Sequence, residues 1–349
     1  MPILEAIRVL SIGTISFVVA FGATLVFLKL TKNFMLAKQI RSAESAPVYA
    51  KLHEKKAGTP TMGGIIIWAT VLGLAGLFWV LSVIFDGTFS FLNFIDRAET
   101  YLPLAALFIA AILGLIDDIL GAMKIGPHGG GLQVRHKLIM YFFAALLGAL
   151  WFYYRLEWDV LQIPFWGDVR IDLWYIPIFM FIIIASAFST NETDGLDGLA
   201  GGVMLFAFIA LTTVAFALGR FHLASLGSAM IGALLAFLWF NIYPAKFFMG
   251  DTGSMSLGIT MGIIAMLTNT ALFLPFFAPI LVLESLSVIV QLTSKKLRGK
   301  KIFISTPIHH HFEALGWPET QITMRFWIIS AVISALGLAL FFLNRYILI

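Results

Sequence analysis

A chain of 349 residues that is 60% apolar and only 12% charged is excluded from the ordinary soluble enzymes, which carry roughly 25% charged residues. The absence of cysteine removes disulfides and thiolate metal sites from consideration. The formal charge of +4 decides little by its size; its distribution along the chain decides more.

Apolar runs of about 20 residues, the length that spans a bilayer core, recur throughout. They are continuous rather than alternating, which selects helices over barrel strands. The fold class expected is therefore all-α: a polytopic membrane protein of about ten transmembrane helices, in a single domain covering 1–349. The predicted spans are 10–30, 62–85, 101–119, 136–154, 174–189, 199–218, 223–243, 254–269, 272–292 and 326–346. The first lacks a small-residue cleavage site and exceeds a signal h-region, so it is read as a retained span. Before the fifth, Val169, Ile171 and Leu173 alternate with Asp168, Arg170 and Asp172 beside Trp166-Gly167, the pattern of a small β-hairpin. Pro275 and Pro279 are expected to bend the ninth span. An even number of spans puts both termini on one side. The loops on the other side, 29–61, 120–137, 190–198, 244–253 and 293–325, hold 17 of the 23 lysines and arginines. The positive-inside rule makes that side cytoplasmic and places both termini and the hairpin outside.

The polar residues at span ends gather on the cytoplasmic side. The first cytoplasmic loop ends Lys55-Lys56-Ala57-Gly58-Thr59-Pro60-Thr61-Met62-Gly63-Gly64, cations and hydroxyls beside a flexible turn that suit phosphate oxygens. Its spacing is not that of a P-loop. Asp117-Asp118 ends the third span, where the macrodipole is negative and disfavours anions. Adjacent carboxylates also repel, and the nearest lysine in sequence is Lys124. A divalent cation with oxygen ligands, Mg²⁺, resolves that conflict; a solvated helix end is the plain alternative. Asn191-Glu192-Thr193-Asp194-Gly195-Leu196-Asp197-Gly198 precedes the sixth span. Asp194 and Asp197, three apart, would share a face of a helical turn, and helix capping would explain one of them but not both. Asn241 ends the seventh span, and Gly250-Asp251-Thr252-Gly253-Ser254 opens the eighth, either as a cap or as an anion-binding helix start. Glu284 lies within the ninth span and is expected to face the bundle interior, without an assigned role. His309, His310 and His311 follow Pro307 in the last cytoplasmic loop. Adjacent histidines on an extended loop do not converge on one ion, so phosphate or sugar contact is the better reading than zinc. A cation-coupled transporter would place such groups near mid-depth; these lie at span ends.

In this order, Gly58-Thr59-Pro60-Thr61-Met62-Gly63-Gly64, Asp117-Asp118, Asn191 with Thr193 to Leu199, Asn241 with Gly250 to Ser254, and Pro307 to Glu313 resemble the polyprenyl-phosphate N-acetylhexosamine-1-phosphate transferase superfamily, and within it the branch whose donor carries a muramoyl-pentapeptide. The resemblance implies transfer of phospho-N-acetylmuramoyl-pentapeptide from UDP-N-acetylmuramoyl-pentapeptide to undecaprenyl phosphate, with release of UMP. It implies dependence on Mg²⁺, location in the bacterial inner membrane with the site at the cytoplasmic face, and ten spans with both termini outside. Asp117, Asp118 and Asp251 are then the expected catalytic residues: Asp251 with one of the pair would hold Mg²⁺, and the other would position or deprotonate the lipid phosphate. Lys56, Thr61 and Lys137 would meet phosphates. Asn191, Asp194 and Asp197 would shape the nucleotide or metal site, with Asn241 nearby, and His309, His310 and His311 would contact the donor. Direct attack is expected over a covalent aspartyl intermediate, because a phosphate monoester with a second pKa near 6 is already mostly ionised. The chain departs from the pattern at Phe188, where an asparagine is usual, at Glu192, where an apolar residue is usual, and in an unusual His128-Gly129-Gly130-Gly131. A sister activity with UDP-GlcNAc as donor is the nearest alternative. No nucleic-acid partner is expected. The sequence leaves the oligomeric state open, a homodimer among the options.

Overall fold

A computed structural model of the chain describes residues 2–34, 56, 58–85, 87–126 and 130–348. Lys55, Ala57, His128 and Gly129, all singled out above, lie outside them. The described residues form helices α1 (Pro2–Phe34), α2 (Gly64–Ile84), α3 (Thr88–Leu92), α4 (Tyr101–Ala122), α5 (Val134–Leu150), α6 (Tyr175–Thr193), α7 (Leu199–Ala217), α8 (Phe221–Asn241), α9 (Asp251–Leu267), α10 (Leu274–Phe277), α11 (Pro279–Arg298), α12 (Ile308–Ala314) and α13 (Glu319–Leu348). One two-stranded sheet, β1 (Val160–Ile163) with β2 (Gly167–Arg170), follows α5.

Eight of the described helices are long and apolar enough to cross a membrane: α1, α2, α4 to α8 and α13. The chain is a multi-pass membrane protein. Two of the ten predicted spans depart from simple crossings. Helix α9 has 17 residues, which at 1.5 Å per residue is about 25 Å, short of the ~30 Å hydrocarbon core. The ninth breaks at Ala278, where α10 and α11 meet at 93°. Pro279 opens α11, as a residue lacking an N–H can only at a helix start.

The short helix is the centre of the bundle. Every residue from Thr252 to Leu267 is buried, with α4 and α6 packed against it, while α8 is flanked by α1 and α7. Backbone hydrogen bonds join the chain before α2 to the chain before α9: Phe248 N–H to Pro60 O, Gly63 N–H to Phe248 O and Gly64 N–H to Met249 O, each 2.8 Å. The approach is close enough that a Cβ on Gly64 would lie 2.2 Å from Gly253 Cα. The Thr-Pro-Thr-Met-Gly-Gly segment is thereby pinned against the start of α9.

The hairpin closes the opposite end. Asn269, just past α9, accepts the Gln162 N–H at 3.0 Å, and Asn344, near the end of α13, accepts that of Phe165. The strands pair antiparallel with Val160 opposite Arg170 and Ile163 opposite Gly167. The alternating stretch predicted to continue through Leu173 stops at Arg170. Asp172 adopts a positive φ of 46° and starts a 3₁₀ turn that leads into α6.

Candidate active site

Two helix ends and one lysine build the centre of the site. Asp117 and Asp118 lie in the last turns of α4, and Asp251 is the first residue of α9. Lys137, in the first turn of α5, places its Nζ 2.8 Å from Asp117 Oδ2 and directly on Asp251 Oδ2. The Leu132 N–H donates to Asp117 Oδ1. Asn191 donates from Nδ2 to Asp251 Oδ1 at 2.7 Å and to Ser254 Oγ at 3.0 Å. All three charged side chains are largely withdrawn from solvent. Lys124 is the nearest lysine in sequence, with Lys56, Lys137 and Lys246 the other plausible cations for these acids. The fold selects Lys137: the next helix brings it between the carboxylates, a partner 114 residues from Asp251.

Asp118 turns the other way. Its Oδ1 accepts the Asp251 N–H at 3.0 Å and its Oδ2 the Thr252 N–H at 2.9 Å. A carboxylate at the negative end of α4 is thus seated at the positive end of α9, which resolves the macrodipole conflict without a metal. Gly250 makes this possible, with φ 74° and a position where a Cβ would lie 2.5 Å from Asp118 Oδ2.

A second charged knot lies alongside. Lys56 Nζ is 2.7 Å from Asp197 Oδ1 and also pairs with Glu319. Asp197 Oδ2 accepts the Ala245 N–H at 2.9 Å, and Glu319 Oε1 accepts the Asp197 N–H at 2.6 Å. Burial works against the Lys56 cation, yet Glu319 and Asp197 outweigh it and hold its pKa above the ordinary lysine value. Glu319 was not foreseen: in sequence it is an acid in the first turn of the last span, an arrangement the helix dipole alone accounts for.

The remaining predicted residues are distributed as follows. Asp194 and Asp197 do not share a helical face, because α6 ends at Thr193, α7 starts at Leu199 and both acids sit in the turn between. Asn241 accepts the Gly198 N–H at 3.1 Å and donates to Phe247 O at 2.8 Å, tying the α6–α7 turn to the loop before α9. Thr61 is buried, with no hydrogen-bond partner for its hydroxyl among the described residues. Phe188 packs against the apolar core. The histidines lie on a helix, α12, rather than an extended loop. His309 is fully buried against Glu284, His310 Nδ1 is 2.6 Å from Glu313 Oε2, and His311 Nδ1 accepts the Ile304 N–H at 3.2 Å. Among the described residues no three or more histidine or acidic side chains converge as a metal site. The centre offers instead two carboxylates aimed at one cation, backed by an amide and a helix N-terminus. Such an arrangement can hold a divalent ion through oxygen donors or receive an anionic group.

Comparison with known proteins matches residues 100–269 to the family model described as glycosyl transferase family 4, and residues 56–67 to phospho-N-acetylmuramoyl-pentapeptide-transferase signature 1. The phospho-N-acetylmuramoyl-pentapeptide-transferase of Chloroflexus aurantiacus is 37% identical over 339 residues, covering 92% of this chain and 87% of the relative. The chain belongs to the phospho-N-acetylmuramoyl-pentapeptide-transferase family. Proteins of the same name from Anoxybacillus flavithermus, 35% identical over 93% of this chain and 95% of theirs, and from Geobacillus sp. strain WCH70, 34% identical over 96% and 98%, share that membership. Both matched regions fall on the site: Lys56 and Thr61 lie in the signature, and Asp117, Lys137, Asn191 and Asp251 lie in the family 4 segment. A transporter reading finds no support among these relatives.

Proposed function

We propose that the chain, as one membrane domain, transfers phospho-N-acetylmuramoyl-pentapeptide from UDP-N-acetylmuramoyl-pentapeptide to undecaprenyl phosphate. The observation that carries this reading is the convergence of Asp117, Asp251 and Lys137 at the start of α9 in a chain of this family. An oxygen of the lipid phosphate attacks the sugar-bearing phosphorus of the donor. The bond from that phosphorus to the bridging oxygen breaks, UMP leaves with that oxygen, and a lipid-linked diphosphate sugar forms. The acceptor phosphate is mostly ionised at neutral pH, so the protein needs no strong base. Its task is to bring two anions together and hold them in line.

Asp117 and Asp251 suit Mg²⁺, because their oxygens already converge on one cation position, occupied here by the Lys137 ammonium. When bound, Mg²⁺ supplies neutralisation of the diphosphate oxygens. Lys137 then serves the donor phosphates, and Asn191 keeps Asp251 oriented. Asp118 fixes the start of α9, on which Asp251 stands. Lys56 and Asp197 brace the α6–α7 turn that carries Asp194. His310 and His311, which are less buried than His309, take the donor contact.

In this reading the site end faces the cytoplasm of a bacterial inner membrane, and the termini and the hairpin lie outside. The chain starts without cysteine, so a single Cys placed at position 168 is expected to react with an impermeant reagent only from the outer side. Reaction only from the cytoplasmic side would invert the topology. A homodimer is compatible with all of this. Donor specificity is tested with purified protein and both UDP-linked donors in competition. Transfer from the muramoyl-pentapeptide donor with UDP-GlcNAc inert is expected; transfer from UDP-GlcNAc would replace this reading with the sister activity.

A further inference from the structure

Glu284 and His309 form a pair that the transfer chemistry above does not use. Both are completely buried. Glu284, in the second turn of α11, sets Oε2 3.0 Å from His309 Nδ1, and the same oxygen faces the His309 backbone N–H at 3.5 Å. The other side of the imidazole presses on the α6–α7 turn: a Cβ added to Gly195 would lie 2.2 Å from His309 Nε2. Gly195 follows Asp194 and precedes Asp197 by two residues. His309 is therefore wedged between a carboxylate on the broken span and the backbone of the turn that borders the site.

The rest of α11 supports the same arrangement. Ser285 Oγ is 2.7 Å from Ser189 Oγ, which fixes α11 against α6. Gln291 accepts the N–H groups of Ile302 and Phe303 and donates to Phe303 O at 2.8 Å, so it binds the linker that leads to α12. A buried carboxylate is costly unless paired, and a scaffold role for α12 alone would be met by an apolar residue. Burial works against the His309 cation, but Glu284 outweighs it and raises its pKa, with Glu313 and Glu192 adding to the effect. The charged groups facing the ring are these three carboxylates, and the His310 ring lies 4.0 Å away.

We propose that Glu284 is a positioning residue that acts through His309 to hold α12 against the Asp194–Asp197 turn in the geometry that receives the sugar-nucleotide donor. His309 touches no substrate; it sets the register of His310 and His311 relative to the turn. The inference rests on the proposed transferase reading for the identity of the donor, but not for the existence of the latch.

The test is Glu284→Gln, which removes the charge and keeps the shape. The imidazole can shed its proton, so no lone buried charge remains and the fold should survive. Donor KM is expected to rise about tenfold, the scale of one lost charge-assisted contact, with kcat and the KM for undecaprenyl phosphate within about threefold. His309→Gln should do the same, and the double variant should be no worse than either single one, as for residues that act as a unit. Amide hydrogen exchange in α12 should accelerate by roughly fivefold or more in Glu284→Gln, a local opening that is independent of any donor. Unchanged donor KM together with unchanged exchange in a stable variant would overturn the proposal. So would an equal loss for donor, acceptor and thermal stability, which would mark Glu284 as part of the general packing. Wild-type protein inactive with the muramoyl-pentapeptide donor would count against the proposed function only, because the exchange measurement still decides the latch.

Discussion

At the end of the bundle that carries Asp251, charges are buried, paired across distant parts of the chain and shared: Lys137 serves two carboxylates and Lys56 two more. At the hairpin end the pairing is of a different kind. Arg8 is buried there with Glu5, the Asn93 carbonyl and His222, but among the described residues it bridges no pair of carboxylates; Arg170 meets Asp159 at 2.8 Å with its side chain 72% exposed, and Arg345 reaches Ala217 O at the surface. Exposed pairs contribute little because water screens them, whereas buried ones carry a desolvation cost that only good geometry offsets. Apolar residues would fill the inner end more cheaply. Lysines shared between paired carboxylates at the start of a helix packed on all sides are what the proposed transfer requires at this end, and among the described residues the other end has no such sharing.

The contrast can be broken by substitution. Asp117→Asn, Asp118→Asn and Asp251→Asn are each expected to lower turnover by at least about a hundredfold, measured as UMP release, Asp117 and Asp251 through lost transition-state electrostatics and Asp118 through misplacement of Asp251 at the start of α9. They should differ in stability. Asp118→Asn keeps one amide oxygen to accept from one of the Asp251 and Thr252 N–H groups but turns its NH₂ toward the other, weakening the cap of α9 by about 1 kcal/mol. Near-normal turnover in any one of the three would remove that residue from the centre. Lys56→Ala comes next. It leaves Asp197 and Glu319 facing each other without their cation, and a loss of about 3 kcal/mol in chemical denaturation is expected, with turnover lowered about tenfold through the α6–α7 turn. Stability equal to wild type would show that the knot is not structural. The smallest effect is expected from Arg170→Ala, within about 0.5 kcal/mol and with unchanged turnover; a large loss there would erase the distinction between the two ends.

Much of the site was legible because its chemistry is local. Asp117-Asp118 stands out as two acids ending an apolar run, and Gly250-Asp251 as a helix start. What could not be read is which of the candidate lysines answers which acid. Lys137 and Asp251 are 114 residues apart, and Lys56 and Glu319 are 263 apart; no local pattern encodes those meetings. The apolar runs gave the helices, and Pro279 marked the break in the ninth span, but neither gives a 93° bend or the shortness of α9. The histidine segment misled because Pro307 reads as part of a loop, whereas it is the cap of a short helix. Once that segment is helical, His309 turns inward, fully buried against Glu284, while His310 and His311 stay less buried.

The central claim is that Asp117 and Asp251 converge to hold a divalent ion on the donor diphosphate. Its most direct test is UMP release by the purified protein from UDP-N-acetylmuramoyl-pentapeptide and undecaprenyl phosphate, with the divalent ion removed by chelation and then restored. Activity should vanish in excess EDTA, return with Mg²⁺ or Mn²⁺, return poorly with Ca²⁺, whose longer bonds and looser geometry misplace the diphosphate, and require more Mg²⁺ in Asp251→Asn. Full transfer in excess EDTA, with the metal-free state confirmed by elemental analysis, would contradict it.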